Sequence, residues 1–151
     1  MKITSRAFSE GEDIPPKYTC DGENINPKLL ISDVPEGAKS LAFIMDDPDV
    51  PKAIHPEGIW THWVMWNIPV ETKIIAENSA PKNAIVGENS RGNNKYAGPC
   101  PPDREHRYFF KLYALDTTLD LPVTTNKEGL LRATEGHVIG SAELIGLYER
   151  I

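Results

Sequence analysis

Cysteine is scarce in this sequence, and long apolar runs are missing. Cys20 and Cys100 are too few for a disulfide framework and lack the spacing of a metal site. They are therefore predicted to be free thiols in a reducing compartment, with a bridge between them as the alternative. No stretch approaches the roughly 18 consecutive apolar residues of a membrane span, and no apolar run near the N-terminus indicates a secretory signal. These features predict a cytoplasmic protein without stable membrane insertion.

Positive charge is also in deficit. The 16 lysine and arginine residues are outnumbered by 22 aspartate and glutamate residues, which gives a net charge of −6. Such a balance disfavours nonspecific binding to nucleic acid and attraction to anionic lipid. The Gly-Lys-Ser/Thr ending of a nucleotide-binding phosphate loop is missing as well, so nucleotide hydrolysis is not expected. A length of 151 residues with 40% hydrophobic content predicts one domain over residues 1–151.

Proline is abundant, with 13 residues that mostly fall between short apolar runs. This pattern predicts a loop-rich, mainly β protein. The predicted strands are residues 3–8, 29–32, 40–46, 63–68, 108–114 and 138–148. Two aromatic runs, 63–66 and 109–113, are almost continuously apolar, which is typical of central strands covered on both faces.

One helix is marked near the C-terminus. Thr125 and Glu128 have the spacing of a capping box, and Gly136 is placed to end the helix. A weaker helical pattern covers residues 70–76. The helices are thus predicted to be few, short and peripheral to the strands.

Two carboxylates, Asp47 and Asp49, lie in a proline-stiffened loop at the end of a predicted strand. Pro48 and Pro51 restrict the backbone of the residues before them, so the loop has little freedom to collapse. Such a segment is either a surface turn with solvated acids or one side of a binding pocket.

Two histidines, His62 and His106, each open an aromatic strand. If these strands are adjacent and antiparallel, both imidazoles lie at one end of a sheet. By strand alternation Tyr108 shares the face of His106, and Arg107 points the other way. An imidazole there can bind a phosphate oxygen or be oriented by Asp47, or it is a structural histidine bonded to a backbone carbonyl.

A loop rich in glycine and proline, residues 92–102, separates the two histidine segments. Gly98 permits close approach of the backbone to a ligand. Pro99 and Pro101 hold the turn in one shape, so exposed amides in this loop can receive an anion.

These motifs together resemble the phosphatidylethanolamine-binding protein family, in the short bacterial and archaeal branch similar to Raf kinase inhibitor protein. The resemblance runs from about residue 8 to residue 150 and includes Asp-Pro-Asp-X-Pro, Trp-X-His, Gly-Pro-X-Pro-Pro and His-Arg-Tyr motifs. It implies an antiparallel β-sandwich with a few short helices. It also implies a non-catalytic pocket, without metal or cofactor, for phosphate or a phosphorylethanolamine headgroup. The implied pocket residues are Asp47, His62, Gly98, Pro99, Pro101, His106 and Tyr108.

The sequence departs from the family pattern at two positions near the N-terminal motif. Asn26 stands where a serine is usual, and Ile31 stands where a tryptophan often follows.

Within the pocket itself, Asp47 needs a cationic partner if phosphate is to bind nearby. It either keeps a histidine protonated or receives the ammonium of an ethanolamine group, and both hypotheses predict weaker binding as the pH rises above the histidine pKa.

Three further hypotheses remain open. Asp47, His62 and His106 are also the ligand types of a catalytic zinc or a facial triad, which would make the protein a metal-dependent enzyme. The resemblance also implies a possible partner protein, a kinase or protease that the chain regulates. The resemblance to short relatives also implies a homodimer, and the apolar run 144–148 is either a dimer interface or a core strand.

Overall fold

The computed structural model describes residues 1–150, which form eight strands, one α-helix and one short 3-10 turn. The strands are β1 (Lys2–Ser5), β2 (Leu29–Ser32), β3 (Ser40–Asp47), β4 (Trp60–Ile68), β5 (Ile74–Ile75), β6 (Ile85–Val86), β7 (His106–Leu115) and β8 (Val138–Tyr148). Helix α1 spans Lys127–Thr134, and the 3-10 turn spans Pro16–Tyr18.

The strands form two antiparallel sheets. The small sheet has the order β1-β2-β5, and the large sheet has the order β6-β4-β3-β7-β8. Strand β3 is therefore the centre of the large sheet, with β4 on one side and β7 on the other. This arrangement confirms the predicted mainly β, two-sheet fold.

The large sheet is covered on both faces, as its continuous apolar runs predict. One face packs against the small sheet and the N-terminal segment, where Phe43, Trp63 and Phe110 belong to the main buried cluster. The opposite face packs against helix α1, and there Trp66 and Leu130 belong to a second buried cluster. Successive residues of one strand of the large sheet therefore face two different cores.

The predicted strands are close to the observed ones. The bounds of β2 and β8 match the prediction, and β4 and β7 each begin a few residues earlier, at Trp60 and His106. The helix predicted over residues 70–76 is wrong, because Ile74–Ile75 form β5 and pair with Leu29 and Leu30. Burial of Ile75 in the main core outweighs the weak helical pattern of so short a segment.

Helix α1 lies where the sequence predicts it, but its N-cap is one residue later. The side chain of Asn126, rather than Thr125, accepts the hydrogen bond from the backbone N–H of Gly129, across 3.0 Å. Thr125 is used in the preceding turn, where its N–H donates to the carbonyl oxygen of Pro122. Gly136 has φ of 78°, a conformation that suits glycine after a helix end.

The apolar run 144–148 is a core strand. Leu144 and Tyr148 are buried, and the free edge of β8 is covered by this chain's own N-terminal segment. The N–H of Ile14 donates to the carbonyl oxygen of Leu147, and the N–H of Leu147 donates to that of Glu12. The edge of β8 around Leu147 is therefore not open for pairing with a second copy, and a homodimer remains a prediction.

The two cysteines are not free thiols. Cys20 and Cys100 form a disulfide between the N-terminal segment and the glycine- and proline-rich loop, with their Cα atoms 5.4 Å apart. The prediction failed because two cysteines 80 residues apart give no sequence signal that they meet in space. No helix within residues 1–150 is long and apolar enough to cross a membrane.

Candidate functional site

Three neighbouring strands bring the predicted polar residues together at one end of the large sheet. Asp47 ends the central strand β3, His62 lies near the start of β4, and His106 and Tyr108 open β7. From the sequence we considered adjacent strands for the two histidines. In the structure their strands, β4 and β7, are not adjacent, because β3 lies between them. Asp47 is thereby placed between the two histidines. All four residues are buried, with at most 5% of each exposed.

A β-bulge turns His62 toward this site. Met45 pairs with Trp63, but the next residue of β3, Asp46, pairs with Thr61, so His62 is the extra residue in β4. Trp63 faces the main core between the two sheets. Strict alternation along β4 would therefore point the neighbouring His62 to the opposite face, toward helix α1. The bulge re-aims it, and its ring lies 5.3 Å from that of Tyr108, centroid to centroid.

Asp47 and His106 form the closest polar pair of the site. The Oδ2 atom of Asp47 is 2.6 Å from Nδ1 of His106, and the Oδ1 atom accepts a hydrogen bond from the N–H of Asp49 across 2.8 Å. Burial raises the pKa of Asp47 above its ordinary value, although both hydrogen bonds oppose this shift. Asp47 therefore orients His106 and is itself oriented by the following loop.

His62 is fixed by a backbone carbonyl rather than by a carboxylate. Its Nδ1 atom lies 2.7 Å from the carbonyl oxygen of Ala97, so we assign the ring proton to Nδ1. Burial lowers the pKa of His62 to about 4, against the opposing effect of this hydrogen bond. The imidazole is thus neutral near pH 7 and offers an acceptor lone pair on Nε2. That Nε2 atom is buried and makes no hydrogen bond to residues 1–150.

Tyr108 lies between the two imidazoles. Its ring is stacked on that of His106 at a centroid distance of 6.5 Å and meets the ring of His62 edge-on. Burial first, and then the nearby Asp47 carboxylate, raise the pKa of the phenol far above its usual value, so the hydroxyl keeps its proton. The hydroxyl is close enough to the Asp47 carboxylate for that group to act on its pKa, but it makes no hydrogen bond of ordinary length and angle to residues 1–150, and it is the second such buried polar atom of the site.

The loop that carries Gly98, Pro99 and Pro101 is held against the N-terminal segment. The N–H of Gly98 donates to Oδ1 of Asn24 across 2.8 Å, and the carbonyl oxygen of Pro99 accepts from the N–H of Cys20 across 3.1 Å. The amide that we expected to face an anion is therefore already used. Gly98 is needed because a Cβ atom there would lie 2.5 Å from the carbonyl oxygen of Tyr18.

This anchoring leaves the loop with an indirect part in the site. Ala97 supplies the carbonyl that orients His62, and the disulfide at Cys100 fixes the loop on the other side of Gly98 and Pro99. Pro101 is buried. Gly98, Pro99 and Pro101 therefore help to fix the loop and offer no free N–H group to a ligand.

The second carboxylate of the Asp-Pro-Asp motif points away from the site. Asp49 accepts from the backbone N–H and from the guanidinium of Arg107, with distances of 2.9 to 3.0 Å. These bonds lower the pKa of Asp49. Arg107 thus has the structural role that strand alternation predicts, and the pair fixes the loop after β3 to the start of β7.

The two departures from the family pattern lie in structural positions. Asn26 is buried and donates to the carbonyl oxygen of Ala76, while its Oδ1 atom accepts from the N–H of Ser79. It therefore holds the segment after β5. Ile31 is buried in the small sheet as part of the main core.

The sequence did not point to Asp103, which is a direct neighbour of His106. Its Oδ1 atom is 2.7 Å from Nε2 of His106, and its side chain is 40% exposed. This bond lowers the pKa of Asp103, so its carboxyl group is ionised near pH 7. The only sequence signal is an acid three residues before a histidine, which is too common to be informative.

A cleft of about 490 Å³ lies on the solvent side of Asp103. It lies between the loop after β3 and the loop before β7, and its lining includes the cations Lys52 and Arg104 as well as Glu57. Asp103 therefore stands between this cleft and the buried ring of His106. Asp103 lines this cleft, whereas Asp47, His62, His106 and Tyr108 do not.

Metal ligation was the competing hypothesis for these residues. Among residues 1–150 no group of three or more histidine, cysteine, aspartate or glutamate side chains is arranged to hold a metal ion. Both ring nitrogens of His106 face carboxylates, and Nδ1 of His62 faces a carbonyl, so Nε2 of His62 is the one imidazole nitrogen of the pair left for a ligand.

The fold and the site define a class of protein: two antiparallel sheets with a buried carboxylate, two histidines and a tyrosine at the end of three strands. Comparison with known proteins agrees. The sequence model of the phosphatidylethanolamine-binding protein family matches residues 4–149. The chain is 50% identical to a UPF0098 protein of Methanothermobacter thermautotrophicus, and the match covers 99% of both chains.

Solved structures extend the similarity. A putative phosphatidylethanolamine-binding protein homologue from Chlamydia trachomatis superposes with a TM-score of 0.96 at 46% identity, over 99% of this chain and 97% of that one. Escherichia coli YbcL, described as a new member of the mammalian family, superposes with a TM-score of 0.89 at 30% identity, over 99% and 98%. The chain belongs to the phosphatidylethanolamine-binding protein family, in its prokaryotic branch, as the sequence motifs indicated.

Proposed function

We propose that this protein binds a small phosphorylated ligand of the phosphate or phosphorylethanolamine type at Asp47, His62, His106 and Tyr108. One observation carries the proposal: Nε2 of His62 and the hydroxyl of Tyr108 are both buried and without hydrogen bonds to residues 1–150, and the two rings lie 5.3 Å apart, centroid to centroid. Leaving a polar group buried and unpaired costs about 1–3 kcal/mol. A ligand that supplies partners to both atoms would recover part of that free energy on binding.

Each residue has a distinct part in this proposal. His62 is neutral, so its Nε2 accepts a hydrogen bond from an ammonium or from a protonated phosphate oxygen. The Tyr108 hydroxyl donates to a phosphate oxygen. Asp47 holds His106 in position through its bond to Nδ1. A ligand with both an anion and a donor, such as phosphorylethanolamine, suits these groups better than a bare anion does.

The proposed binding is non-catalytic. Cys100, the cysteine nearest the site in the sequence, is held in the disulfide and therefore offers no thiolate nucleophile. The neutral His62 has no serine, threonine or cysteine among its hydrogen-bond partners, which supports a recognition role over nucleophilic catalysis.

Calorimetric titration tests the proposal with three probes: phosphorylethanolamine, inorganic phosphate and ethanolamine. We expect saturable binding of phosphorylethanolamine, weaker binding of phosphate, and at least a tenfold loss for His62→Ala. His137→Ala is the matched control, because His137 forms an exposed pair with Asp116 on a remote turn. If phosphorylethanolamine does not bind at millimolar concentration, or if His62→Ala and His137→Ala behave alike, the proposal fails.

A second candidate function is regulation of a kinase or protease. The observation in its favour is the loop between β3 and β4, where Ile54 is 61% exposed and Ile59 is 37% exposed. Exposed large apolar residues on a proline-stiffened loop suit contact with a partner protein. Inhibition assays against panels of kinases and serine proteases test this function, with Ile54→Ser as the variant expected to lose any inhibition found.

The cytoplasmic location predicted from the sequence remains a prediction, and the Cys20–Cys100 disulfide bears on it. Disulfides persist in oxidising compartments and are rare in the cytoplasm, with intracellular proteins of hyperthermophiles as an exception. Alkylation of cells at the moment of lysis, followed by mass measurement, tests the location. Two alkylated cysteines would support a reducing compartment, and none would support an oxidising one.

A further inference from the structure

His106 is held between two carboxylates of its own chain. Asp47 lies 2.6 Å from Nδ1, and Asp103 lies 2.7 Å from Nε2. An ionised carboxylate only accepts hydrogen bonds, so each ring nitrogen of His106 faces an acceptor oxygen. The ring itself is fully buried.

The two carboxylates differ in how they are held. Asp47 belongs to the central strand, is 3% exposed, and is fixed by a further bond from the N–H of Asp49. Asp103 belongs to an irregular loop and has a side chain that is 40% exposed; its second oxygen lies 3.7 Å from the guanidinium of Arg104. Asp47 is thus part of the framework, whereas Asp103 can turn away from His106 with little disturbance to the fold.

We propose that Asp103 is an internal competitor for the anion position of the site, and that a phosphorylated ligand binds His106 by displacing the Asp103 carboxylate. This inference rests on the proposed function and names a residue that sets the affinity of the same site. A carboxylate at Nε2 of His106 makes the charge-assisted bond that a phosphate oxygen would make.

The surroundings of Asp103 fit such an exchange. On its solvent side lies the cleft, whose lining carries the cations Lys52 and Arg104 together with the acids Glu57 and Asp49, the latter paired with Arg107. The displaced carboxylate keeps Arg104 as a partner. The disulfide at Cys100 holds the loop three residues upstream of Asp103.

The exchange has a consequence for affinity. The ligand replaces one charge-assisted bond with another, so the measured affinity reflects only the difference between phosphate and the Asp103 carboxylate. Removal of the competing charge makes the binding-competent form more populated and raises the apparent affinity by the same factor. A structural role for Asp103, in which it only holds the loop, predicts no gain on removal.

Phosphate and phosphorylethanolamine titrations of Asp103→Asn test the inference. We expect about tenfold tighter binding than in the wild-type protein for both probes. Glu105→Gln is the matched control, because it removes the same charge from the same exposed loop at a side chain that makes no hydrogen bond to the His106 ring, and its affinity should stay within about twofold of wild type. In a protein that already carries His62→Ala, adding Asp103→Asn should no longer tighten the binding of either probe.

The outcomes separate this inference from the proposed function. If the wild-type protein binds and Asp103→Asn binds no tighter, the inference is overturned and the proposed function stands. If Glu105→Gln gains as much as Asp103→Asn, net charge explains the effect and the inference is again overturned. If none of the proteins binds either probe, both are overturned. Asp103→Ser serves as a second variant, and the melting temperature of each is measured beforehand.

Discussion

The Nδ1 atom of His62 donates to the carbonyl oxygen of Ala97 across 2.7 Å, and this bond decides which ring nitrogen remains for a ligand. With Nδ1 occupied and the ring neutral, Nε2 is an acceptor. The two histidines of the site therefore differ: one imidazole is a neutral acceptor, and the other is bound between two carboxylates.

Burial of His62 predicts a specific pH dependence of stability. Its pKa is about 4 in the folded protein, against an ordinary value of 6.5. The unfolded chain binds a proton as the pH falls from about 6.5 to 4 and the folded chain does not, so stability falls over this range by about 3 kcal/mol.

Urea unfolding of wild type and His62→Gln at pH 7 and pH 4 measures this contribution, because glutamine does not titrate. The wild-type protein should lose about 3 kcal/mol more than the variant between the two pH values. Equal losses would show that His62 is not buried in its neutral form.

Tyr108→Phe should separate binding from stability. The phenol hydroxyl has no hydrogen bond within residues 1–150, so its removal should leave the ligand-free protein equally stable or more stable by about 1 kcal/mol. Binding of phosphorylethanolamine should weaken.

Tyr96→Phe is the matched control, because the hydroxyl of this buried tyrosine donates to the carbonyl oxygen of Tyr18 across 2.7 Å. That variant should lose about 1 kcal/mol of stability. A loss of the same size for Tyr108→Phe in thermal or urea unfolding would contradict the assignment of an unpaired hydroxyl.

Gly98→Ala should be strongly destabilising. Its Cβ atom would lie 2.5 Å from the carbonyl oxygen of Tyr18 and 3.0 Å from Cα of Thr19, which forces the loop away from the N-terminal segment. Overpacking of this kind costs about 1–3 kcal/mol. At Gly92 the same substitution meets no atom within 4 Å, but φ of 80° remains strained, so a cost near 1 kcal/mol is expected. Urea unfolding compares the two variants, and equal costs would argue against the close approach.

Reduction of the disulfide should lower stability and loosen the support of the site. The Cys20–Cys100 bond joins residues 80 apart in sequence, so its removal should cost about 2–4 kcal/mol. Thermal unfolding with and without a reductant measures this loss. The double variant Cys20→Ser with Cys100→Ser should melt at the temperature of the reduced wild-type protein and be insensitive to the reductant; a wild-type protein that is itself insensitive would contradict the bond.

Much of the fold could be predicted from the sequence because its long strands carry strong patterns. Strand β8 and the aromatic strands around Trp63 and Phe110 combine β-favouring residues with flanking turns. Two short strands, β5 and β6, were missed because two residues give no periodicity, and they exist only through pairing with distant strands.

The site was predicted in part. The motifs identified Asp47, His62, His106 and Tyr108, which the fold brings together. The sequence could not show that a bulge re-aims His62, because bulges depend on the register between two strands. Nor could it show contacts through an irregular loop.

That loop accounts for the remaining differences. The pairing of Cys100 with Cys20, the use of the Gly98 amide by Asn24 and the contact of Asp103 with His106 all depend on where an irregular segment crosses the fold. No local pattern encodes such a path, so these contacts become visible only in three dimensions.

The central claim is that Nε2 of His62 accepts a hydrogen bond from a phosphorylated ligand. The most direct measurement is the ¹⁵N chemical shift of this nitrogen at pH 7 during titration with phosphorylethanolamine. The account predicts a saturable move away from the value of an unprotonated, free acceptor nitrogen, together with shifts at Asp47 and His106. An unchanged Nε2 shift at millimolar ligand, with the ring still neutral, would contradict it.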